Sequence, residues 1–245
     1  AALTDKTTLV SLQLANNEVG TIQPLAELVA RVRAVSPALI HIDAVQGAAH
    51  VPIDVEALGA DLVSFAAHKV EGPKGVGALW IRRGTTILPQ VHGGSQERYR
   101  RAGTENVAGA VGMAAAFELA AAERETTVAA VAVRRDRLRS ALLAVEAVEL
   151  TGHPVERLPG SLSVIVRGVL GEDLVMALDL EGVACSTGSA CTTGSSEPSH
   201  VLTAMGVPEE RATGALRLSL GRMTRPEDIE RVIEVLPPLV ERMRA

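Results

Sequence analysis

The stretch Ser64-Phe65-Ala66-Ala67-His68-Lys69, continued past Val70 by Glu71-Gly72-Pro73-Lys74-Gly75-Val76-Gly77, ends a β-type run on a histidine and a lysine and enters a glycine-rich turn. One unit upstream the pattern repeats: Leu39-Ile40-His41-Ile42-Asp43 breaks into Ala44-Val45-Gln46, with a carboxylate at its end. Residues 8–14 read as a strand leading into Asn16-Asn17-Glu18. Residues 25–35 read as a helix opened by Pro24 and stopped before Pro37. A further apolar run covers 77–81. Short β-type runs alternating with a helical period predict an α/β fold with a mostly parallel sheet. Ligands of such sheets gather at the carboxyl ends of the strands. Asn16-Asn17-Glu18, Asp43 to Gln46 and His68-Lys69 all stand at such ends.

Beyond a loop rich in Gly and Arg, residues 107–124 and 126–148 are alanine-rich with helical periodicity, as expected of helices that link two domains. Strands near 162–166, 183–186 and 215–220 then alternate with helices near 172–178, 199–205 and 226–244. This predicts a smaller α+β domain. The boundary is placed near residue 106, with 1–106 in a larger α/β domain and 107–245 forming the linking helices and the smaller domain.

The 245 residues are 47% hydrophobic and 22% charged, with a formal net charge of −5, and the arginines are scattered rather than gathered into a basic block. Direct nucleic-acid binding is not expected. No apolar run approaches the length of a membrane span, and the first ten residues lack the layout of a signal peptide, so a cytoplasmic protein is expected. Of 24 basic residues only Lys6, Lys69 and Lys74 are lysines. A chain that prefers Arg for plain positive charge keeps Lys where a nucleophilic amine is needed, because a guanidinium does not deprotonate. Cys185 and Cys191 stand six apart in a Gly/Ser/Thr segment, without the paired spacing of a zinc site, so no metal is expected and a reactive thiol is.

The glycines after Lys69 do not form a nucleotide loop: no Ser or Thr follows Lys74 in the required frame, and no G-x-G-x-x-G opens a helix. Lys69 and Asp43 together suit a different cofactor. A carboxylate facing the pyridine nitrogen of pyridoxal phosphate keeps that nitrogen protonated, and the protonated ring is an electron sink.

The sequence resembles the cysteine desulfurases of the nitrogen-fixation and iron–sulfur-assembly type, in the class V aminotransferase group. The matching segments begin with Asn16-Asn17-Glu18-Val19-Gly20, His41 to Gln46, His68-Lys69 with Gly72-Pro73-Lys74-Gly75, and Arg101-Ala102-Gly103-Thr104-Glu105-Asn106. They continue with Cys185 to Cys191, Glu197-Pro198-Ser199-His200-Val201-Leu202, and Leu216 to Arg222. The resemblance implies the fold of type I pyridoxal-phosphate transferases, with a large domain incomplete at its N-terminus and a small C-terminal domain. It implies that Lys69 carries the cofactor covalently, Asp43 pairs with the ring nitrogen, Gln46 touches the phenolic oxygen and His68 lies against the cofactor. Asn17 would contact cofactor and substrate, Thr104 the cofactor phosphate of the other subunit of a homodimer, and Arg217 the substrate carboxylate. Cys191 would be the nucleophile that accepts sulfur as a persulfide, whereas Cys185 matches no functional position. The family begins further upstream, with a Thr-His segment that binds phosphate and stacks on the ring, and Ala66 stands where many relatives have a phosphate-binding Ser. The chain is read as lacking that N-terminal third and is expected, alone, to hold the cofactor weakly.

The implied reaction turns L-cysteine into L-alanine and passes sulfur through Cys191 to an acceptor protein, a scaffold or sulfurtransferase, for iron–sulfur cluster assembly or thio-modification. The rival readings are selenocysteine lysis or transamination on the same fold, and a catalytically silent scaffold. Cys191 argues against plain transamination, which needs no thiol.

Overall fold

Leu9–Gln13, Leu39–Asp43 and Leu62–Ala66 form strands β1, β2 and β3, each paired in parallel with the next, and β4 (Gly77–Ile81) returns antiparallel along β3. The computed structural model describes residues 2–188 and 198–245. In β2 the alternation sorts side chains by face: Ile40 and Ile42 are fully buried, and His41 and Asp43 are half-buried on the other side. Helix α1 (Leu25–Val35) crosses from β1 to β2 and packs Leu25, Val29 and Val32 with Ile40, Ile42, Leu14 and Val63. Ser36 ends it in extended conformation (φ −149°, ψ 138°), the region to which Pro37 restricts the residue before it. A single turn, α2 (Gln96–Tyr99), has positive φ at Glu97, Arg98 and Tyr99 and precedes the long helix α3 (Val107–Leu142).

The chain divides into two compact units, Ala1–Leu14 with Gln23–Arg124, and Ala15–Ile22 with Glu125–Ala245. Sequence patterning puts the boundary near residue 106 and two helices at 107–124 and 126–148. In the structure the division falls inside one continuous helix. No Gly or Pro follows Gly112 before Leu142 to break it, and its two halves find different partners. The first half sets Gly112 beside Pro73 and Phe117 edge-on to Phe65, with ring centres 5.7 Å apart. The second buries Val131, Leu138 and Leu142. The helix stops at Leu142 rather than near 148 because Val148 opens strand β5 (Val148–Leu150), where it pairs with Val166.

In the second unit β5, β6 (Ser161–Val166) and β7 (Ala215–Ser219) form an antiparallel sheet in that order. Helices α4 (Gly171–Leu180) and α7 (Pro226–Arg244) cover the face bearing Leu162, Val164, Leu216 and Leu218. The opposite face packs Ile165 and Ala215 with Val19, with Leu202 of α5 (His200–Ala204) and with Ala212 of α6 (Glu209–Ala212). Residues 183–186, expected as a strand, make only a two-way bridge: Arg217 N donates to Ser186 O at 2.7 Å and Ser186 N to Arg217 O at 3.2 Å. Helix α7 continues through Pro237 and Pro238. Interior prolines cost a helix about 3 kcal/mol or more, which the burial of Leu236, Leu239 and Val240 on either side offsets. Leu236→Ala is accordingly expected to lower the unfolding free energy by about 2–5 kcal/mol, measured by urea denaturation. No helix among the described residues is long and apolar enough to cross a membrane.

Candidate active site

The ends of β2 and β3 lie side by side, and backbone hydrogen bonds hold them there. Asp43 is in register with Gln13 on β1 and Ser64 on β3. Leu14 N donates to Asp43 O at 2.7 Å, and Ala44 N to Ser64 O at 3.0 Å. One Asp43 carboxylate oxygen accepts the Val45 N–H at 2.9 Å, which turns the chain toward half-buried Gln46 and fixes the carboxylate. Asp43 also lines an open cleft with Ser11, Gln13 and Gln23.

Beyond β3, Ala67–Val70 make one 3₁₀ turn. Ala67 and Val70 are buried, whereas His68 and Lys69 between them are exposed. The turn is tied at both ends, since Ala67 N donates to Val76 O at 3.1 Å and Gly72 N to Ala67 O at 2.9 Å. A Cβ at Gly72 would lie 3.0 Å from Ala67 O and 3.1 Å from the Ala116 side chain, so a larger residue would push α3 back from this turn by a few tenths of an ångström. The result is an amine and an imidazole presented on a rigid support, next to the strand that ends in Asp43. The structure thus places Asp43 at the end of β2 with Gln46 in the turn after it, and His68 and Lys69 on the turn after neighbouring β3. This set of a carboxylate, an amide, an imidazole and an amine fits pyridoxal phosphate, whose ring nitrogen, phenolic oxygen, face and carbonyl carbon call for those groups in turn.

Thr104 is exposed in the loop that leads into α3. Asn17 and Arg217 belong to the second unit and meet there: Arg217 Nη1 donates to the backbone carbonyl of Asn17 at 3.1 Å and to that of Gly188 at 3.4 Å. Arg217 stands opposite Ser163 on the face of β7 turned from the larger core. Its Nε is buried and has no hydrogen-bond partner among the described residues. A buried guanidinium N–H left unpaired is costly, and a carboxylate is its natural complement. Cys191 lies outside the described residues. Cys185 is half-buried against the core of the second unit, and burial, helped by Asp179, pushes its thiol up to about 11.

Three further groups escape sequence reading. His41 bridges two hydroxyls, with Nδ1 2.8 Å from Ser11 Oγ and Nε2 3.1 Å from Ser64 Oγ, which holds the polar face of the sheet around Asp43. Its place two residues before Asp43, on the same strand face, was the available signal. Arg157 is 4% exposed; its Nη2 donates to Val19 O and Thr151 O, both at 3.0 Å. Burial, then the nearby Arg135 and Arg139, lower it to about 10. Glu18, 3% exposed, accepts a hydrogen bond from Ser199. Its only sequence signal was a carboxylate following two asparagines at a strand end.

The aminotransferase class-V family description matches residues 1–232. A protein of Methanosarcina thermophila named cysteine desulfurase IscS is 51% identical over 243 residues, which cover 99% of this chain and 60% of that protein. This chain therefore spans about three-fifths of the length of that relative. Among solved structures, a NifS-like protein aligns with a TM-score of 0.89 and 38% identity, covering 98% of this chain and 63% of its own. SspA, solved in complex with cysteine, aligns with a TM-score of 0.71 and 28% identity, covering 91% and 62%.

Proposed function

The chain belongs to the class-V aminotransferase family, a family of pyridoxal-phosphate enzymes, and from this we propose that it acts as a cysteine desulfurase. The observation that carries the reading is the pair Lys69 and Asp43 at the ends of neighbouring parallel strands, the amine on the tied turn after β3 and the carboxylate on the last residue of β2. The names of the similar proteins, and cysteine as the molecule bound to SspA, support cysteine as substrate.

Bound pyridoxal phosphate would supply an electron sink for the carbon skeleton of the substrate. The first unit provides Lys69 to hold it covalently and to move the substrate's α-proton through Nζ. It also provides Asp43 for the ring nitrogen, Gln46 for the phenolic oxygen and His68 for the ring face. For the substrate the reading assigns Asn17 and Arg217, whose guanidinium is a planar two-pronged donor suited to a carboxylate. Cys191 thiolate attacks the substrate sulfur, forming an S–S bond as the substrate's C–S bond breaks. The sum balances: cysteine and a protein thiol give alanine and a protein persulfide.

Thr104 reaches the phosphate bound by a second copy in this reading, so the enzyme is a homodimer. Exposed Val107, Val111 and Leu119 along the first half of α3 support an apolar interface. A persulfide handed to an acceptor protein requires thiols kept reduced, which favours the cytoplasm. Iron–sulfur assembly is the use we assign to the sulfur.

Incubation of the cofactor-loaded full-length protein with L-cysteine tests the reading. Alanine should form together with one extra sulfur on the peptide containing Cys191. A keto acid in place of alanine would mean transamination, and no spectral response to cysteine would mean a silent scaffold. Arg217→Ala should raise the apparent KM for cysteine about ten- to a hundredfold, the loss of a charged hydrogen-bonded pair, read from initial rates. An unchanged KM moves the carboxylate clamp away from Arg217.

A further inference from the structure

His41 is not among the groups assigned to cofactor or substrate, yet it stands two residues before Asp43 on the same face of β2. Its ring crosses two strand gaps: Nδ1 lies 2.8 Å from Ser11 Oγ on β1 and Nε2 3.1 Å from Ser64 Oγ on β3. The two hydroxyls are not equivalent. In the parallel register Ser11 stands opposite His41 itself, whereas Ser64 stands opposite Asp43. His41 therefore reaches diagonally and takes hold of the hydroxyl that sits across from the carboxylate.

That neighbour matters to Asp43. Adjacent strands lie about 4.7–4.9 Å apart, so a serine directly across from an aspartate needs only a change of rotamer to donate to its carboxylate. A hydrogen bond to an ion is roughly twice as strong as a neutral one, and it lowers the carboxylate's affinity for any other proton. Asp43 already accepts the Val45 N–H through Oδ1 at 2.9 Å, so a second donor would occupy the oxygen left for a ring nitrogen. The Ser64 hydroxyl does not take that course: among the described residues it is bonded to His41 and not to Asp43. A hydroxyl proton needs an acceptor, and Nε2 is one only in the tautomer that carries its proton on Nδ1, which then donates to Ser11 Oγ. Ser11 is exposed, so water can take the proton of its own hydroxyl.

We propose that His41 is a positioning residue for the cofactor: through Nε2 it holds the Ser64 hydroxyl away from Asp43 and so keeps that carboxylate for the pyridine nitrogen. The effect rests on the reading of Asp43 as the partner of that nitrogen. A planar ring with a nitrogen at each end spans both strand gaps at once, which an amide cannot. Glutamine puts its terminal group near the Nε2 position, where its carbonyl can accept the Ser64 proton, and asparagine puts its own near Nδ1. The two substitutions therefore separate the Ser64 end of the bridge from the Ser11 end.

The test uses the cofactor-loaded full-length protein and reads the apparent dissociation constant of pyridoxal phosphate and the visible absorbance of the bound cofactor, with turnover of cysteine beside them. His41→Ala and His41→Asn should weaken cofactor binding about tenfold, the scale of one charged hydrogen bond, and shift the absorbance, with KM for cysteine within about twofold of wild type. His41→Gln should bind within about threefold of wild type, as should Ser64→Ala. His41→Ala combined with Ser64→Ala should recover most of the loss, because no hydroxyl remains to compete. The amide pair decides the matter should His41→Ala fail to fold. Wild-type affinity and absorbance in His41→Ala would overturn the proposal, as would His41→Gln no better than His41→Asn. So would a double variant as weak as His41→Ala, the outcome expected if the imidazole merely braces the sheet. Asp43→Ala with wild-type affinity and absorbance would instead overturn the reading of Asp43. Nitrogen-15 NMR of the cofactor-free full-length protein would still decide the bridge, since a proton found on Nε2 of His41 means that Nε2 does not hold the Ser64 proton.

Discussion

Cys191→Ser is expected to reduce alanine formation from cysteine by at least about a thousandfold, while the cofactor colour and its change on adding cysteine persist. Removing a covalent nucleophile from a well-studied hydrolase costs about a millionfold, so the lower figure leaves room for stray thiols. A thiol has a few per cent of thiolate at neutral pH, which a serine hydroxyl cannot approach. Cofactor and substrate binding depend on Lys69, Asp43 and Arg217 and should survive. Cys185→Ser is the contrast. With its thiol pushed up to about 11 by burial and, to a lesser degree, by Asp179, only about one Cys185 in a thousand is thiolate at pH 8, so that variant should keep turnover. Mass spectrometry after brief exposure to cysteine should find the added sulfur on the Cys191 peptide. Sulfur on Cys185, or undiminished turnover in Cys191→Ser, removes Cys191 from the mechanism.

Lys69→Ala is expected to abolish covalent attachment of pyridoxal phosphate and to cut turnover by about a thousandfold or more, whereas Lys74→Ala and Lys6→Ala keep both. The reason is geometric. Lys69 sits on the 3₁₀ turn that directly follows β3, clamped by the Ala67 hydrogen bonds and by α3 behind Gly72. Lys74 lies beyond Pro73, on the return toward β4, and Lys6 precedes β1. Borohydride reduction of the loaded protein followed by peptide mapping reads the result directly. A label on Lys74 would reassign the amine and, with it, the partner that Asp43 faces. Losing covalent attachment in Lys69→Ala while turnover stays at the wild-type rate would separate the amine from the chemistry.

Much of the first unit was legible because its signals are local. Alternating burial in Leu39–Asp43, the prolines at 24 and 37, and the glycines after Lys69 each act within a few residues. They were enough to place β1 to β4 within a residue or so and to set Asp43 and Lys69 at adjoining strand ends. What local pattern could not reach is whatever depends on a distant partner. An alanine-rich helix has no internal reason to stop at Leu142; Val148 leaves the helical pattern because Val166 offers it a strand. The same helix has no internal reason to belong to one unit, and it divides between two because Phe65 and Pro73 engage one half while the other half buries Val131 and Leu138. Residues 15–22 look like a loop of the first unit in sequence and pack with the second, where Glu18 meets a serine 181 positions away and Asn17 an arginine 200 away. Sequence by itself determined the family and the sheet and put Lys69 just past a strand end, since these rest on motifs and periodicities a few residues long. Only the tertiary structure decided what Glu18, His41 and Arg157 hold, because a buried polar group is defined by the partner that satisfies it, and that partner lies on another strand or loop.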